Sequence, residues 1–226
     1  MKLPTERYID QVKDWPKSGR HILAHYDDST IIVYQAYRPS IGNYALRNGH
    51  FGGDFSYSRM SWIKPNFLWM MYRSGWGTKQ GQEVILGLRL RREFFDQILA
   101  QSVQSSYYEG HFATRELWQE ALAQSSVRLQ WDPDHHPSGA KLERRAVQLG
   151  LRGPVLAAFG EKELIEVIDM SEFVATQRPF TTAEMLKELQ TPVERVYIPS
   201  DPEIGRKLGL TTYDPSSAPK SDIQGT

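Results

Sequence analysis

Short apolar runs with alternating polar positions predict strands in both halves of the chain. Residues 22–26 and 30–37 are rich in β-branched and aromatic residues, and residues 27–29 between them predict a hairpin turn. Alternating Val and Leu positions predict a third strand over residues 83–90. Further short strands are predicted at residues 127–131, 146–149, 164–168 and 193–198.

Helix boundaries are marked by proline at the start and glycine at the end. This pattern brackets predicted helices over residues 40–48 and 66–74, and the second is apolar enough to be mostly buried. Turn-forming residues predict a loop over residues 132–139. The remaining predicted helices cover residues 92–103, 114–124, 181–189 and 201–209.

This mixture of strands and helices predicts the α+β class. We expect a single domain over residues 1–195, with a mixed, mostly antiparallel sheet and flanking helices. A C-terminal helical extension is expected over residues 196–210. Ser, Pro, Lys and Gly dominate residues 211–226 without an apolar period, so a disordered tail is expected there.

The chain contains no cysteine, which limits the kinds of catalytic and metal site that it can form. It excludes disulfides, thiolate nucleophiles and zinc sites that need sulfur. The His- and Asp-containing segments lie at a strand edge and in a Pro-rich turn, so no metal site is expected. No apolar run approaches the roughly 20 residues that span a bilayer, and the N-terminus lacks a signal-peptide core. We therefore expect a cytoplasmic protein without a membrane partner, and a nuclear location stays open.

The net charge is zero, but the charges are unevenly distributed. The 27 basic residues balance 27 acidic ones, which excludes a strongly basic nucleic-acid protein and an acidic disordered chain as descriptions of the whole. Residues 31–100 carry nine basic and four acidic residues, whereas residues 155–226 carry seven and twelve. The basic stretch is also rich in tryptophan, a combination that can hold a nucleotide or a nucleic-acid strand. The alternative is a charged rim on a folded core.

Three polar residues, Arg59, Ser61 and Lys64, precede the predicted helix at residues 66–74. A helix N-terminus presents unpaired N–H groups and the positive end of the helix dipole, so these residues are candidates for an anion site. Arg73 lies about two turns along the same helix. Because an unpaired buried guanidinium is unfavourable, Arg73 is expected to pair with a carboxylate or to line a cavity. The alternative is that Arg59 and Lys64 are merely solvated.

Trp62, Trp69 and Trp76 recur every seven residues, but Pro65 disfavours one continuous helix through them. Trp69 is expected in the core. Trp62 and Trp76 flank the helix and are candidates for a surface that stacks on a ring. The glycine-containing run 75–79 is not a phosphate loop, because it lacks the Walker spacing and follows a helix C-terminus.

Four segments resemble the domain-of-unknown-function family 4291. They are residues 33–37, 59–76, 127–133 and 148–151. The central block is long and specific, and the resemblance covers roughly residues 5–195. The family name implies no activity.

The order of motifs also resembles the ADP-ribosyltransferase superfamily, whose members often begin with an aromatic strand bearing Arg or His. A helix and a glycine follow, then a middle Ser/Tyr motif and a late Glu. Residues 34–38, the helix ending at Gly49, and Ser61 with Tyr72 have the same order. The resemblance implies an ADP-ribosyltransferase-like fold and NAD as the cofactor.

Three glutamines occupy the positions that the resemblance makes catalytic. Gln35 stands where Arg or His is expected, and Gln130 and Gln148 occupy the late strands where a Glu is expected. A glycosyl-transfer site needs a carboxylate to steady the oxocarbenium-like ribose. With glutamine instead, the chemistry is expected to be weak, different or lost.

The leading hypothesis is therefore a nucleotide- or NAD-binding domain resembling ADP-ribosyltransferases, acting as a transferase on nucleic acid. The cofactor-binding candidates are Arg38, Arg59, Ser61, Lys64 and Arg73 for phosphates, and Tyr34, Trp62, Tyr72 and Trp76 for ring stacking. The alternatives are a non-catalytic module for RNA or single-stranded DNA and a structural protein-interaction domain. An enzyme requires the polar candidates to converge on one pocket, whereas a strand-binding module requires an open basic groove. The sequence does not indicate an oligomeric state.

Overall fold

The computed structural model describes residues 3–108 and 112–213 of the chain. Its strands are β1 (Thr5–Arg7), β2 (Ile22–Ala24), β3 (Thr30–Tyr37), β4 (Ser61–Ile63), β5 (Val84–Arg91), β6 (Val103–Gln104), β7 (Val127–His135), β8 (Lys141–Leu151), β9 (Leu164–Asp169), β10 (Gln190–Pro192) and β11 (Arg195–Tyr197). Its α-helices are α1 (Tyr8–Asp14), α2 (Pro39–Asn48), α3 (Phe67–Ser74), α4 (Arg92–Gln101), α5 (Arg115–Gln124), α6 (Gly153–Glu161), α7 (Ser171–Gln177) and α8 (Pro202–Leu208). Short 3-10 helices cover Arg178–Thr181 and Leu186–Glu188.

The strands pair mostly in the antiparallel sense. In one sheet β5 lies between β3 and β9, with both pairs antiparallel. In the other the order is β4-β8-β7-β6, and only the β6–β7 pair of that sheet is parallel within the described residues. Two-stranded ribbons pair β1 with β10 and β2 with β11. The predicted α+β class, with a mixed, mostly antiparallel sheet and flanking helices, is confirmed.

Successive side chains of β3 face two different hydrophobic clusters. Ile31 and Val33 join a cluster with apolar residues of β5, β7 and β8, so this cluster fills the space between the two sheets. Ile32 and Tyr34 join a second cluster, to which α3 contributes most of its apolar side chains. Because both faces of the strand are covered, its sequence is a nearly continuous apolar run.

Helix α3 is delimited by local signals that the sequence contains. Asn66 is the N-cap, and its side-chain oxygen accepts a hydrogen bond from the Trp69 N–H at 2.6 Å. Gly75 ends the helix in the left-handed region, with φ 59°. Met70 and Arg73 are three residues apart and therefore lie on one side of α3, which is the side that faces the candidate site.

The predicted loop over residues 132–139 is wrong in its first half. Strand β7 continues to His135 and pairs with β8 through an irregularity between Pro133 and His135. The ladder therefore places Asp132 opposite Ala146, on the sheet and not in a turn. A bulge of this kind lets proline remain in a strand whose ladder it would otherwise interrupt.

The predicted helix over residues 181–189 is also wrong. The segment contains the end of the 3-10 helix Arg178–Thr181 and the 3-10 helix Leu186–Glu188, and the Leu189 carbonyl accepts a hydrogen bond from the Tyr8 N–H at 2.9 Å. The chain then enters β10, which pairs with β1. These long-range backbone bonds override the local capping pattern. Strands β1, β4, β6 and β10 and helices α1, α6 and α7 were not predicted from the sequence.

The C-terminal segment packs on the same core as the rest of the chain. The predicted boundary between residues 195 and 196 falls inside β11, which pairs with β2. Ile204 and Leu208 of α8 belong to the cluster between the two sheets. Residues 214–226 of the predicted tail lie outside the described residues. Within the described ranges, no helix combines the length and apolar character needed to cross a membrane.

Candidate functional site

A cavity of about 490 Å³ lies beside the point where β3 meets β4. Backbone hydrogen bonds join Tyr34 and Lys64 there, at 2.7 and 3.2 Å. The cavity wall comes from β3, from residues 60–64, from α3, and from β7 and β8. The sequence-predicted residues on this wall are Gln35, Ser61, Trp62, Lys64, Arg73, Gln130 and Gln148. The structure adds Ala36, Tyr37, Met60, Met70 and Gln82.

Lys64 supplies a buried amine to this wall. The residue is only 4% exposed, and no described residue forms a hydrogen bond or ion pair with its ammonium. Burial is the main reason that the Lys64 pKa falls from 10.5 to about 8. The Arg73 charge lowers the pKa further, and the Asp132 carboxylate acts in the opposite direction.

Arg73 is the second cation of the cavity. It lies in the last turn of α3 and is exposed, and it lines the cavity, which is the second of the two expected arrangements. With the Gln82 amide oxygen turned toward it, Arg73 Nη1 donates to that oxygen at 3.2 Å. No carboxylate among the described residues forms an ion pair with Arg73. Both cations therefore face the cavity without an ion pair to a described carboxylate, although Asp132 favours the charged form of Lys64 from a longer distance.

Gln130 and Gln148 are oriented by one carboxylate. They are directly opposite each other on β7 and β8. Each Nε2 donates to Asp132, one to Oδ1 and the other to Oδ2, both at 2.8 Å. Since the amide nitrogens are turned to Asp132, the two amide oxygens are the groups left to accept hydrogen bonds from a ligand.

Gln35 and two hydroxyl groups form a second polar cluster on the wall. Gln35 Nε2 donates to Ser61 Oγ at 2.8 Å and to the Trp62 carbonyl at 3.1 Å. The Tyr37 hydroxyl also contacts Ser61 Oγ, at 2.7 Å, and burial raises the Tyr37 pKa well above 10. Gln35 is 2% exposed, and its Oε1 is buried without a hydrogen-bond partner among the described residues. This leaves an acceptor that a ligand can satisfy.

Trp62 forms a partly buried aromatic part of the wall. Its strand position is opposite Gly150 of β8. A Cβ added at Gly150 would lie 3.0 Å from the Trp62 ring and 2.6 Å from the sulfur of Met60. Glycine is therefore required for these two side chains to pack across β8 as they do.

The N-terminus of α3 does not form the predicted anion site. The Phe67 N–H donates to Glu194 Oε1 at 2.7 Å, and Asn66 Nδ2 donates to Glu194 Oε2 at 3.3 Å. Glu194 is 3% exposed, and burial raises its pKa well above the usual value. The protein's own carboxyl group thus occupies this helix end, and Lys64 presents its charge from the end of β4 instead.

Two predicted phosphate-binding arginines lie away from the cavity. Arg38 is exposed and pairs with Asp54 at 3.2 Å. Arg59 is exposed and is not part of the cavity wall. The cationic side of the site therefore consists of Lys64 and Arg73.

Three predicted stacking residues also lie elsewhere. Tyr34 is fully buried in the second hydrophobic cluster. Tyr72 is 44% exposed and stacks on His135, with ring centroids 3.5 Å apart. Trp76 is buried, and its indole N–H donates to the Pro137 carbonyl at 3.3 Å, so the expected stacking surface at Trp76 is wrong. Trp62 alone of the four aromatic candidates lines the cavity.

Sequence reasoning missed Asp132 and Tyr37, although a signal for both existed. Each is two residues from a predicted glutamine on the same strand, Asp132 from Gln130 and Tyr37 from Gln35. Side chains at this spacing lie on one face of a strand. Met60, Met70 and Gln82 have no comparable signal, because the tertiary fold brings them to the cavity.

Comparison with known proteins places the chain in a family. A search of curated proteins finds no sequence that matches it. A family model described as "Domain of unknown function (DUF4291)" matches residues 21–197. This match covers most of the chain and every residue of the cavity wall. The chain therefore belongs to the DUF4291 family.

Proposed function

We propose that the cavity binds a nucleotide, with NAD among the candidates, through phosphate groups at Lys64 and Arg73. The proposal rests mainly on the buried Lys64 side chain, which lines the cavity with Arg73 and has no hydrogen-bond or ion-pair partner among the described residues. A buried charge is unfavourable unless it is paired, so an anion entering the cavity gains from both cations. With a pKa of about 8, Lys64 is mostly protonated at neutral pH and can hold phosphate.

The remainder of the wall suits the neutral part of a nucleotide. The oxygens of Gln35, Gln130 and Gln148 can accept hydrogen bonds from ribose hydroxyls or base amino groups. Trp62 offers an aromatic surface for a ring. A volume of about 490 Å³ is within the usual range for small-molecule sites.

A transferase activity of the ADP-ribosyltransferase type is the finer form of this proposal, with nucleic acid as the acceptor. Its support is Asp132, a carboxylate hydrogen-bonded to two glutamines of the wall. A carboxylate near the ribose can stabilise the positive charge that develops when the glycosidic bond breaks. Under this proposal, Asp132→Asn abolishes NAD cleavage, and it also weakens NAD binding, because asparagine offers one oxygen for the two glutamine amides.

Calorimetric titration with NAD, ATP and a short oligonucleotide tests the proposal. Loss of one charged hydrogen-bond partner is worth about 1.5–3 kcal/mol, so Lys64→Met and Arg73→Gln should each weaken nucleotide binding by about 10- to 100-fold. Arg38→Gln and Arg59→Gln are matched controls, because both remove exposed arginines that lie off the cavity wall.

The same titration separates the alternatives. Binding of the oligonucleotide alone, with a steep dependence on salt, would favour the non-catalytic nucleic-acid module. Absence of heat with every ligand would refute the proposed function and favour the protein-interaction domain. Equal affinities for wild type and Lys64→Met would place any bound nucleotide outside this cavity.

A further inference from the structure

The surroundings of Lys64 combine three features that activate an amine. The side chain is almost completely buried, it lines a cavity, and no described residue hydrogen-bonds or ion-pairs with its nitrogen. The Arg73 guanidinium lies close enough for its charge to disfavour the ammonium form. Desolvation and a neighbouring cation are the two means by which proteins make lysine nucleophilic.

We propose that Lys64 is an imine-forming lysine, which condenses with a phosphorylated aldehyde held in the cavity by Arg73. The proposal goes beyond nucleotide binding, although it uses the same cavity. The reaction requires both Lys64 and Arg73 to face the same cavity. The amine must reach a carbonyl carbon, and the guanidinium must hold the phosphate while the amine is neutral.

The reaction is a condensation without oxidation or reduction. The neutral Lys64 nitrogen attacks the carbonyl carbon, and the amine proton moves to the carbonyl oxygen to give a carbinolamine. Loss of that hydroxyl group with the second amine proton releases one water molecule. The nitrogen is left double-bonded to the former carbonyl carbon.

The supply of neutral amine favours Lys64 over the surface lysines. At pH 7.4, a pKa of about 8 leaves about one fifth of the Lys64 amines neutral. An ordinary lysine has about one neutral amine in a thousand at this pH. Two charged groups act on Lys64. Arg73, on α3, disfavours the protonated form of the amine, and Asp132, on β7, favours it.

The test uses pyridoxal 5′-phosphate as the probe aldehyde on the full chain at pH 7.4. Borohydride reduction traps the imine, and peptide mass spectrometry gives the rate of modification at each lysine. The exposed Lys79 and Lys162 are references within the same sample, so this comparison needs no variant. We expect Lys64 to be labelled at least about 10-fold faster than either reference. Labelling of Lys64 at or below the reference rate would overturn the proposal.

Control reactions test whether Arg73 holds the phosphate of the probe. They also separate imine formation from nucleotide binding. Pyridoxal without phosphate, and Arg73→Gln with the phosphorylated probe, should each label Lys64 several-fold more slowly. Equal rates in these arms would refute the role of Arg73. Lys64→Arg cannot form an imine, so this variant should lose the modification at residue 64. If wild type is labelled at Lys64 but binds no nucleotide, the proposed function fails and the imine proposal is supported.

Discussion

Replacement of Lys64 by methionine should make the unliganded protein more stable, although it removes a residue of the candidate site. Methionine keeps an unbranched apolar stem but carries no charge. The ammonium that it replaces is 4% exposed and has no hydrogen bond or ion pair among the described residues. The wild-type fold therefore bears a largely desolvated charge, which the nearby Asp132 carboxylate offsets only in part.

The magnitude of this effect follows from the Lys64 pKa. Folding lowers it from 10.5 to about 8, and one pKa unit corresponds to about 1.4 kcal/mol, so the charged form destabilises the fold by about 3 kcal/mol. The unfolded chain keeps this proton up to about pH 10.5, whereas the folded chain releases it near pH 8. The free energy of unfolding therefore rises with pH between these two values. Below about pH 8, Lys64 destabilises the fold by the full amount of about 3 kcal/mol.

Urea unfolding of wild type and Lys64→Met, at pH 7 and near pH 10, measures this difference. We expect the variant to be more stable by about 3 kcal/mol at pH 7, and the gap to shrink toward zero near pH 10. Lys79→Met removes an exposed lysine and should show almost no gap at either pH. A destabilised Lys64→Met variant, or a gap that does not change with pH, would refute this reasoning.

Three further substitutions test other parts of the structure. Gly150→Ala should displace the Trp62 ring from its packing across β8 and weaken nucleotide binding severalfold. Unchanged nucleotide affinity in calorimetry would argue against an aromatic contact between Trp62 and the ligand. Asp134→Ala should destabilise the fold by about 3–5 kcal/mol in urea unfolding, because the buried Arg144, which is 3% exposed, would lose its ion-pair partner at 2.6 Å. A loss of unfolding free energy below about 1 kcal/mol would contradict this expectation. Burial raises the Glu194 pKa, so ionisation of this carboxyl group at higher pH destabilises the fold. In thermal unfolding, wild type should therefore lose stability relative to Glu194→Gln as the pH rises from 5 to 8. Parallel pH profiles of the two proteins would exclude a raised pKa.

Local signals predicted the elements that carry most of the site. The β-branched run of β3, the alternation of β5 and the ends of α3 at Asn66 and Gly75 are each encoded within a few residues. The same signals placed Lys64 and Arg73 near one helix. They could not show that Arg73 is exposed while Lys64 is buried, because that depends on which strands surround each side chain.

Long-range contacts account for the predictions that were wrong. Glu194 occupies the N-terminus of α3 from 127 residues away in sequence, and no local pattern indicates that contact. The predicted helix over residues 181–189 is replaced by 3-10 turns because the neighbouring segment pairs with β1. The convergence of Gln130 and Gln148 on Asp132 depends on the register between β7 and β8, which is a property of the folded sheet.

A crystal structure of the protein grown with ATP or NAD would show whether a nucleotide occupies the cavity at Lys64 and Arg73. We expect a phosphate oxygen within about 3 Å of Lys64 Nζ, with Arg73 on the same phosphate group or the adjacent one. The neutral part of the nucleotide should lie against Gln35, Gln130 and Gln148. A nucleotide bound elsewhere on the protein, with Lys64 making no contact to it, would contradict the proposed function of the cavity.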